Sequence, residues 1–219
     1  MAEITGFALL TFSAVFFVVD PFAVIPMFLA VTAGDTAEKK RKTAFRAAGA
    51  CTITLLTFAL AGSLIFKVFG VTLAAFRIAG GVLLFLMALD MLRAQRSRTR
   101  SSPEEEREGV MKEEVAIVPV GIPMLAGPGS IATVIVLMGQ AGGSWVRSAI
   151  VLASIAATGA ATYLLLRSAG VLERALKQTG LNILNRLMGL MLAAMAVQFI
   201  ILGVKEAVPQ VLGSTAVSG

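Results

Sequence analysis

The sequence has no histidine and only one cysteine, and charged residues make up 15% of its 219 residues. Without histidine, Ser-His or Cys-His catalysis and histidine-ligated metal sites are excluded. The single cysteine, Cys51, cannot form an intramolecular disulfide and is expected to be a buried small hydrophobic residue. A Gly-x4-Gly-Lys-Ser/Thr nucleotide motif is also missing. We therefore expect no cofactor, no metal ion and no ATP-driven step in this chain.

Apolar residues are abundant instead. They make up 57% of the chain, and the mean hydropathy is +0.87. Soluble domains carry about 25% charged residues and cannot hide so much apolar surface. The net charge is +6, and the basic residues that produce it lie between apolar runs. We therefore interpret them as a topology signal beside anionic lipid and not as a nucleic-acid surface.

Six apolar stretches are long enough to cross a bilayer core, which takes about 20 helical residues. The alternating ten-residue pattern of a membrane β-barrel is missing. The sequence therefore predicts an all-α membrane protein with six transmembrane helices. Their expected ranges are 5–33, 45–66, 73–92, 115–139, 146–166 and 184–204.

The distribution of Lys and Arg predicts the orientation. Of the 19 basic residues, 15 lie in the first, third and fifth connecting regions. By the positive-inside rule these regions face the cytoplasm, and both termini lie outside it. The N-terminus lacks a basic region before its first apolar run, so we expect that run to be retained.

A polar segment at 93–114 divides the chain and is expected to be a cytoplasmic linker. It separates an N-terminal three-helix repeat at 1–92 from a C-terminal three-helix repeat at 115–219. With three spans in each half, related halves must be inverted relative to each other. Arg77 and Arg186 begin similar segments 109 residues apart, and Pro21 and Pro128 are 107 residues apart.

Two spans are interrupted near their middle. Asp20-Pro21 interrupts the first, and Gly127-Pro128-Gly129-Ser130 interrupts the fourth. Each pattern predicts that a helix restarts, with Asp20 or Gly127 as the N-cap and proline as the first helical residue. Such a restart directs a positive helix end at the membrane midplane, where it suits a carboxylate. Paired interruptions in two halves indicate a transport site. Two proline kinks that only shape the bundle are the alternative.

Four segments together resemble the MarC family of membrane proteins, and the resemblance covers all six spans in order. It implies a six-span inner-membrane protein of bacteria or archaea, with transport of small neutral amino acids such as alanine and glycine. The segments are Asp20–Phe28, Phe76–Gly81, Pro119–Ile131, and Arg186–Gly189 followed by Val197–Ile200.

The six break residues, Asp20, Pro21, Gly127, Pro128, Gly129 and Ser130, are the candidate substrate site. Asp20 has three candidate roles: a helix cap, a counter-charge for a substrate ammonium, or a coupling site. Backbone N–H groups at Gly127 and Gly129 and the Ser130 hydroxyl are candidates for the substrate carboxylate. Close helix packing without a ligand is the alternative for these residues.

Four further residues are candidates for gating or coupling. Arg77 and Arg186 are either snorkelling anchors or members of gate ion pairs, with Asp90 as a candidate partner for Arg186. Gln198 is expected to hydrogen-bond another helix or the substrate.

The sequence therefore predicts a secondary transporter that moves small neutral amino acids by alternating access, coupled to protons or, second, to sodium. The expected partners are membrane lipids and the substrate, with homo-oligomerisation left open. The alternatives are export of drugs or other metabolites and a non-transporting assembly or sensor protein. An intramembrane enzyme with Ser130 as nucleophile is not expected, because histidine is missing and no lysine is predicted at that depth.

Overall fold

The structure, a computed structural model, describes residues 2–93 and 125–215. Every regular element in these two ranges is helical. The linker beyond Arg93 and the first part of the predicted fourth span, residues 115–124, lie outside the described residues. The helices are α1 (Ala2–Val19), α2 (Pro21–Val31), α3 (Ala37–Phe69), α4 (Leu73–Leu92), α5 (Pro128–Gln140), α6 (Trp145–Arg167) and α7 (Ala169–Thr215).

Five helical segments are long and apolar enough to cross a membrane. They are Glu3–Leu29, Ala37–Gly62, Leu73–Leu92, Trp145–Arg167 and Asn182–Val208. The sixth apolar helix, α5, has 13 residues, or about 20 Å, and is too short to cross a core of about 30 Å alone. The all-helical membrane architecture is confirmed, and the sixth span stays a prediction.

The segment before the last span connects two candidate spans, as expected, and is itself helical. Residues 169–181 lie between the spans Trp145–Arg167 and Asn182–Val208 and form the start of α7, which runs for 47 residues from Ala169. No proline occurs between Pro128 and Pro209, so nothing in this region removes a helix hydrogen bond.

Helices of the two sequence halves pack mainly against each other. The helix α3 packs on α6 and α5, α4 on α7 and α5, and α1 on α6. Residues 132–137 of α5 are all buried, so this short helix is surrounded by protein, as expected for a helix that is apolar on all sides. The body of α5 therefore lies inside the bundle.

Two glycines allow the backbones of α4 and α7 to approach closely. A Cβ atom at Gly81 would lie 2.8 Å from the Ala196 carbonyl oxygen and 3.2 Å from the Ile200 nitrogen. A Cβ atom at Gly189 would lie 3.2 Å from the Ala88 carbonyl oxygen and 3.3 Å from the Leu92 nitrogen. The contacts are reciprocal, because three pairs of residues are each 108 positions apart: Gly81 with Gly189, Ala88 with Ala196, and Leu92 with Ile200.

Candidate functional site

Asp20 forms the first helix break. Its backbone has a positive φ of 48°, a conformation that Asp and Asn tolerate better than most residues. Its N–H donates to the Phe16 carbonyl at 3.0 Å, and its Oδ1 accepts from the Ala23 N–H at 3.4 Å. Asp20 is fully buried. It therefore ends α1 and caps α2, which begins at Pro21, as the sequence predicts.

The second break has no side-chain cap. Gly127 is the N-cap of α5 and Pro128 is its first residue, which confirms the predicted restart. The first helical hydrogen bond runs from the Ile131 N–H to the Gly127 carbonyl at 3.0 Å. The N–H groups of Gly129 and Ser130 precede that bond, so the helix itself supplies them with no acceptor. This end of α5 therefore carries the partial positive charge of a helix N-terminus.

The Ser130 side chain joins the two breaks. Its hydroxyl donates to the Leu125 carbonyl at 3.0 Å and lies 3.4 Å from the Val18 carbonyl oxygen. Leu125 precedes the second break, and Val18 lies two residues before Asp20, in the last turn of α1. The last turn of a helix leaves carbonyls that need donors from elsewhere. One buried hydroxyl thus contacts the backbone beside both interruptions.

Gly129 and Pro128 occupy different surroundings. A Cβ atom at Gly129 would lie 2.7 Å from the Met87 Sδ atom and 2.9 Å from the Leu84 Cδ2 atom. Pro128 is exposed, whereas Gly127, Gly129 and Ser130 are buried. The start of α5 is therefore packed tightly against α4, and room for a ligand there requires α4 and α5 to separate.

The structure places the candidate gate residues apart from the breaks. Arg77 is buried and forms an ion pair with Glu206 near the end of α7. Arg186 is exposed and Asp90 is half-buried, and the described residues contain no ion pair between them. Gln198 is exposed on α7, so its amide does not face the breaks.

A row of hydroxyl residues on α6 was missed by sequence reasoning. Ser154, Thr158 and Thr162 are buried at four-residue spacing, and α1 packs on the same helix and contributes the buried Thr11. The Oγ1 atoms of Thr11 and Thr158 have no hydrogen-bond partner among the described residues. The signal was present as the i, i+4, i+8 spacing of Ser and Thr in an otherwise apolar span.

A row of alanines lies one position before each of these hydroxyl residues and has the same spacing. Ala153 and Ala157 are exposed, and Ala161 is half-buried. The face of α6 that enters the bundle is one position further along the chain, at the hydroxyl row.

In the described part of the chain, no group of three or more His, Cys, Asp or Glu residues is placed to hold a metal ion.

Comparison with known proteins agrees with this architecture. The profile of the MarC family integral membrane protein matches residues 5–208. A UPF0056 membrane protein of Pyrococcus abyssi is 37% identical over 94% of this chain and 98% of its own length. The UPF0056 membrane protein YvbG of Bacillus subtilis is 37% identical over 93% of this chain and 97% of its own.

The UPF0056 membrane protein YhcE of Escherichia coli is 33% identical, over 92% of this chain and 93% of its own length. No solved structure is significantly similar to this chain. With a family match that covers almost every helix, the chain belongs to the MarC family of integral membrane proteins.

Proposed function

We propose that this chain is a secondary transporter that moves small neutral amino acids, such as alanine and glycine, by alternating access. In this proposal six spans form two inverted repeats, 1–92 and 115–219, around a site at the two helix breaks. The chain has no enzymatic activity in this proposal. The coupling ion is the proton, with sodium as the second candidate.

The contact between the Ser130 hydroxyl and the Val18 carbonyl oxygen, at 3.4 Å, carries the proposal. It connects two interrupted helices that come from the two halves of the sequence. Broken helices at membrane depth are tolerated where protein or a water-filled cavity satisfies their backbone groups. Transporters use such paired breaks as substrate sites. In the described conformation the Ser130 hydroxyl of the second break contacts the Val18 carbonyl beside the first. Opening the site therefore requires this contact to separate.

The glycine contacts between α4 and α7 support the inverted repeat. Two helices related by a twofold axis exchange equivalent contacts, and Gly81 and Gly189 approach equivalent backbone atoms of the opposite helix. The separation of 108 residues lies between the two separations noted in the sequence, 107 and 109.

The uncapped start of α5 supports a substrate with a carboxylate. Its first N–H groups and its partial positive charge favour an anionic group. At the other break the carboxylate of Asp20 already caps α2. A zwitterionic substrate is complementary to both breaks, because its carboxylate can face the start of α5 while its ammonium group faces the Asp20 carboxylate. The close packing of Gly129 against Met87 and Leu84 leaves little room, which favours a substrate with a small side chain.

Uptake of labelled alanine and glycine into proteoliposomes tests the proposal. We expect saturable uptake that depends on an imposed proton or sodium gradient. Gly129→Ala, which pushes a methyl group against Met87, should reduce uptake, whereas Gly49→Ala, which meets open space, should not. No saturable uptake under either gradient would reject the amino-acid substrate. A screen of drugs and other metabolites in the same vesicles then separates an exporter from a non-transporting assembly or sensor protein.

A further inference from the structure

A cavity of about 680 Å³ opens at the end of the bundle opposite Trp145, well away from the breaks. It lies where α2 ends, α3 begins and α6 passes into α7. Phe28 and Leu29 form part of its wall, and Phe28 is eight residues beyond Asp20, or about 12 Å along α2. The volume is in the range of small-ligand sites, about 300–1,000 Å³. This cavity is therefore distinct from the proposed substrate site.

The charges around the cavity are mostly positive. Two cations come from the start of α3, Lys40 and Arg41, and two from the α6–α7 junction, Arg167 and Arg174. The single carboxylate in the lining belongs to Glu38. Within the described ranges, none of the four cations takes part in a salt bridge, whereas the neighbouring Lys39 pairs with Asp35 at 2.9 Å.

Helix ends do not account for this positive charge. Two helices, α2 and α6, end at the cavity, and two others, α3 and α7, begin there. Their end charges of opposite sign offset each other. The attraction for an anion therefore comes from the four side chains. These side chains come from two segments more than 120 residues apart in the sequence, and the fold brings them together at one place.

The rest of the wall is apolar. Phe28 and Leu166 are buried, and Val171 is 70% exposed at the cavity rim. A ligand that fits this wall carries an anionic group beside the cations and a hydrocarbon part beside these residues. Basic pockets between membrane helices bind the headgroups of anionic lipids in this way.

We propose that this cavity binds the phosphodiester headgroup of an anionic phospholipid, such as phosphatidylglycerol or cardiolipin, with its first acyl carbons against the apolar wall. A free phosphate shares the anionic chemistry but leaves the apolar wall unused. The proposal does not depend on the transported substrate.

Lipid binding to the full chain tests the proposal. The delipidated protein is titrated with phosphatidylglycerol, cardiolipin, phosphatidylcholine or inorganic phosphate, and bound lipid is counted by native mass spectrometry. We expect the anionic lipids to bind at least tenfold more tightly than phosphatidylcholine. Removing one cation near a membrane surface lowers affinity about fivefold. The double variant Arg41→Gln/Arg167→Gln should therefore lose most of the preference.

Lys42→Gln/Arg46→Gln is the matched control, because it removes two charges from the same end of α3 but neither residue lines the cavity. Its preference for anionic lipid should stay within twofold of the unmodified protein. An equal loss in both double variants would show general surface attraction and overturn the proposal. Binding of inorganic phosphate without a lipid preference, or no binding at all, would also overturn it. Thermal unfolding in phosphatidylcholine verifies that both variants are folded.

Discussion

Arg77 and Glu206 form an ion pair that joins the start of α4 to the C-terminal part of α7. Arg77 is 5% exposed, and the backbone of α7 comes close because a Cβ atom at Gly203 would lie only 3.2 Å from the Arg77 Cβ atom. A buried guanidinium needs a compensating charge, since an isolated charge inside protein is costly. This pair therefore fixes how the two helices meet at this end of the bundle.

Glu206→Gln should destabilise the protein by about 1 kcal/mol, which is below the range of about 1.5–3 kcal/mol for a charged hydrogen bond, because the Glu206 side chain is 44% exposed. The change is measured by thermal unfolding in detergent. Glu3→Gln is the control. It removes a carboxylate that pairs with Arg147 but is 82% exposed, so its effect should stay below about 0.5 kcal/mol. Equal effects of the two substitutions would contradict a structural role for the Arg77 pair.

The sequence identified Arg77 but not its partner. The predicted last span ended at residue 204, so Glu206 was placed beyond the helix, whereas α7 continues to Thr215. Asp90 and Arg186 were considered together because both lie toward the predicted cytoplasmic end. Membrane depth can be estimated by counting residues, but the face that a side chain occupies depends on how the helix is rotated in the bundle. Arg186 is on the exposed face of α7.

Asp20→Asn should keep the fold, because asparagine also caps helices and tolerates positive φ. Asp20→Ala loses both advantages and should cost about 1–3 kcal/mol. Thermal unfolding compares the two variants, and alanine uptake at several pH values tests the charge. If Asp20 has a charge role, the Asn variant should unfold like the unmodified protein but lose uptake or its pH dependence. If uptake and its pH dependence are unchanged in this variant, the charge roles of Asp20 are excluded and helix capping is its remaining role.

The breaks were predictable because proline acts locally. Pro21 and Pro128 each lack the N–H that would continue the helix, so both restarts follow from the sequence alone. The contact between the two breaks through Ser130 depends on packing between segments 112 residues apart.

The packing face of α6 also depends on long-range contacts that the local sequence does not determine. Alanines and hydroxyl residues recur there with the same spacing in adjacent rows, and only contacts with α1 and α3 decide which row is buried.

Gly81→Ala and Gly189→Ala should each destabilise the protein by about 1–3 kcal/mol, because a methyl group at either position meets the backbone of the opposite helix. Gly81→Ala should have the larger effect, since its nearest backbone oxygen is 2.8 Å away and that of Gly189 is 3.2 Å away. Thermal unfolding measures both. Gly49→Ala, in a helix and facing open space, should be neutral or stabilising by up to about 1 kcal/mol. A stabilising effect of Gly81→Ala would refute the close approach of α4 and α7.

Trp145 and Lys42 provide a test of membrane orientation, because both are exposed and lie at opposite ends of the bundle. The positive-inside rule predicts that Trp145 is outside and Lys42 is cytoplasmic. We expect a membrane-impermeant maleimide to label Trp145→Cys in intact cells but Lys42→Cys only after permeabilisation. The native Cys51 is 2% exposed, so the unmodified protein provides a low background in both conditions. The reverse pattern would invert the predicted orientation, and labelling of both variants in intact cells would exclude a single fixed orientation.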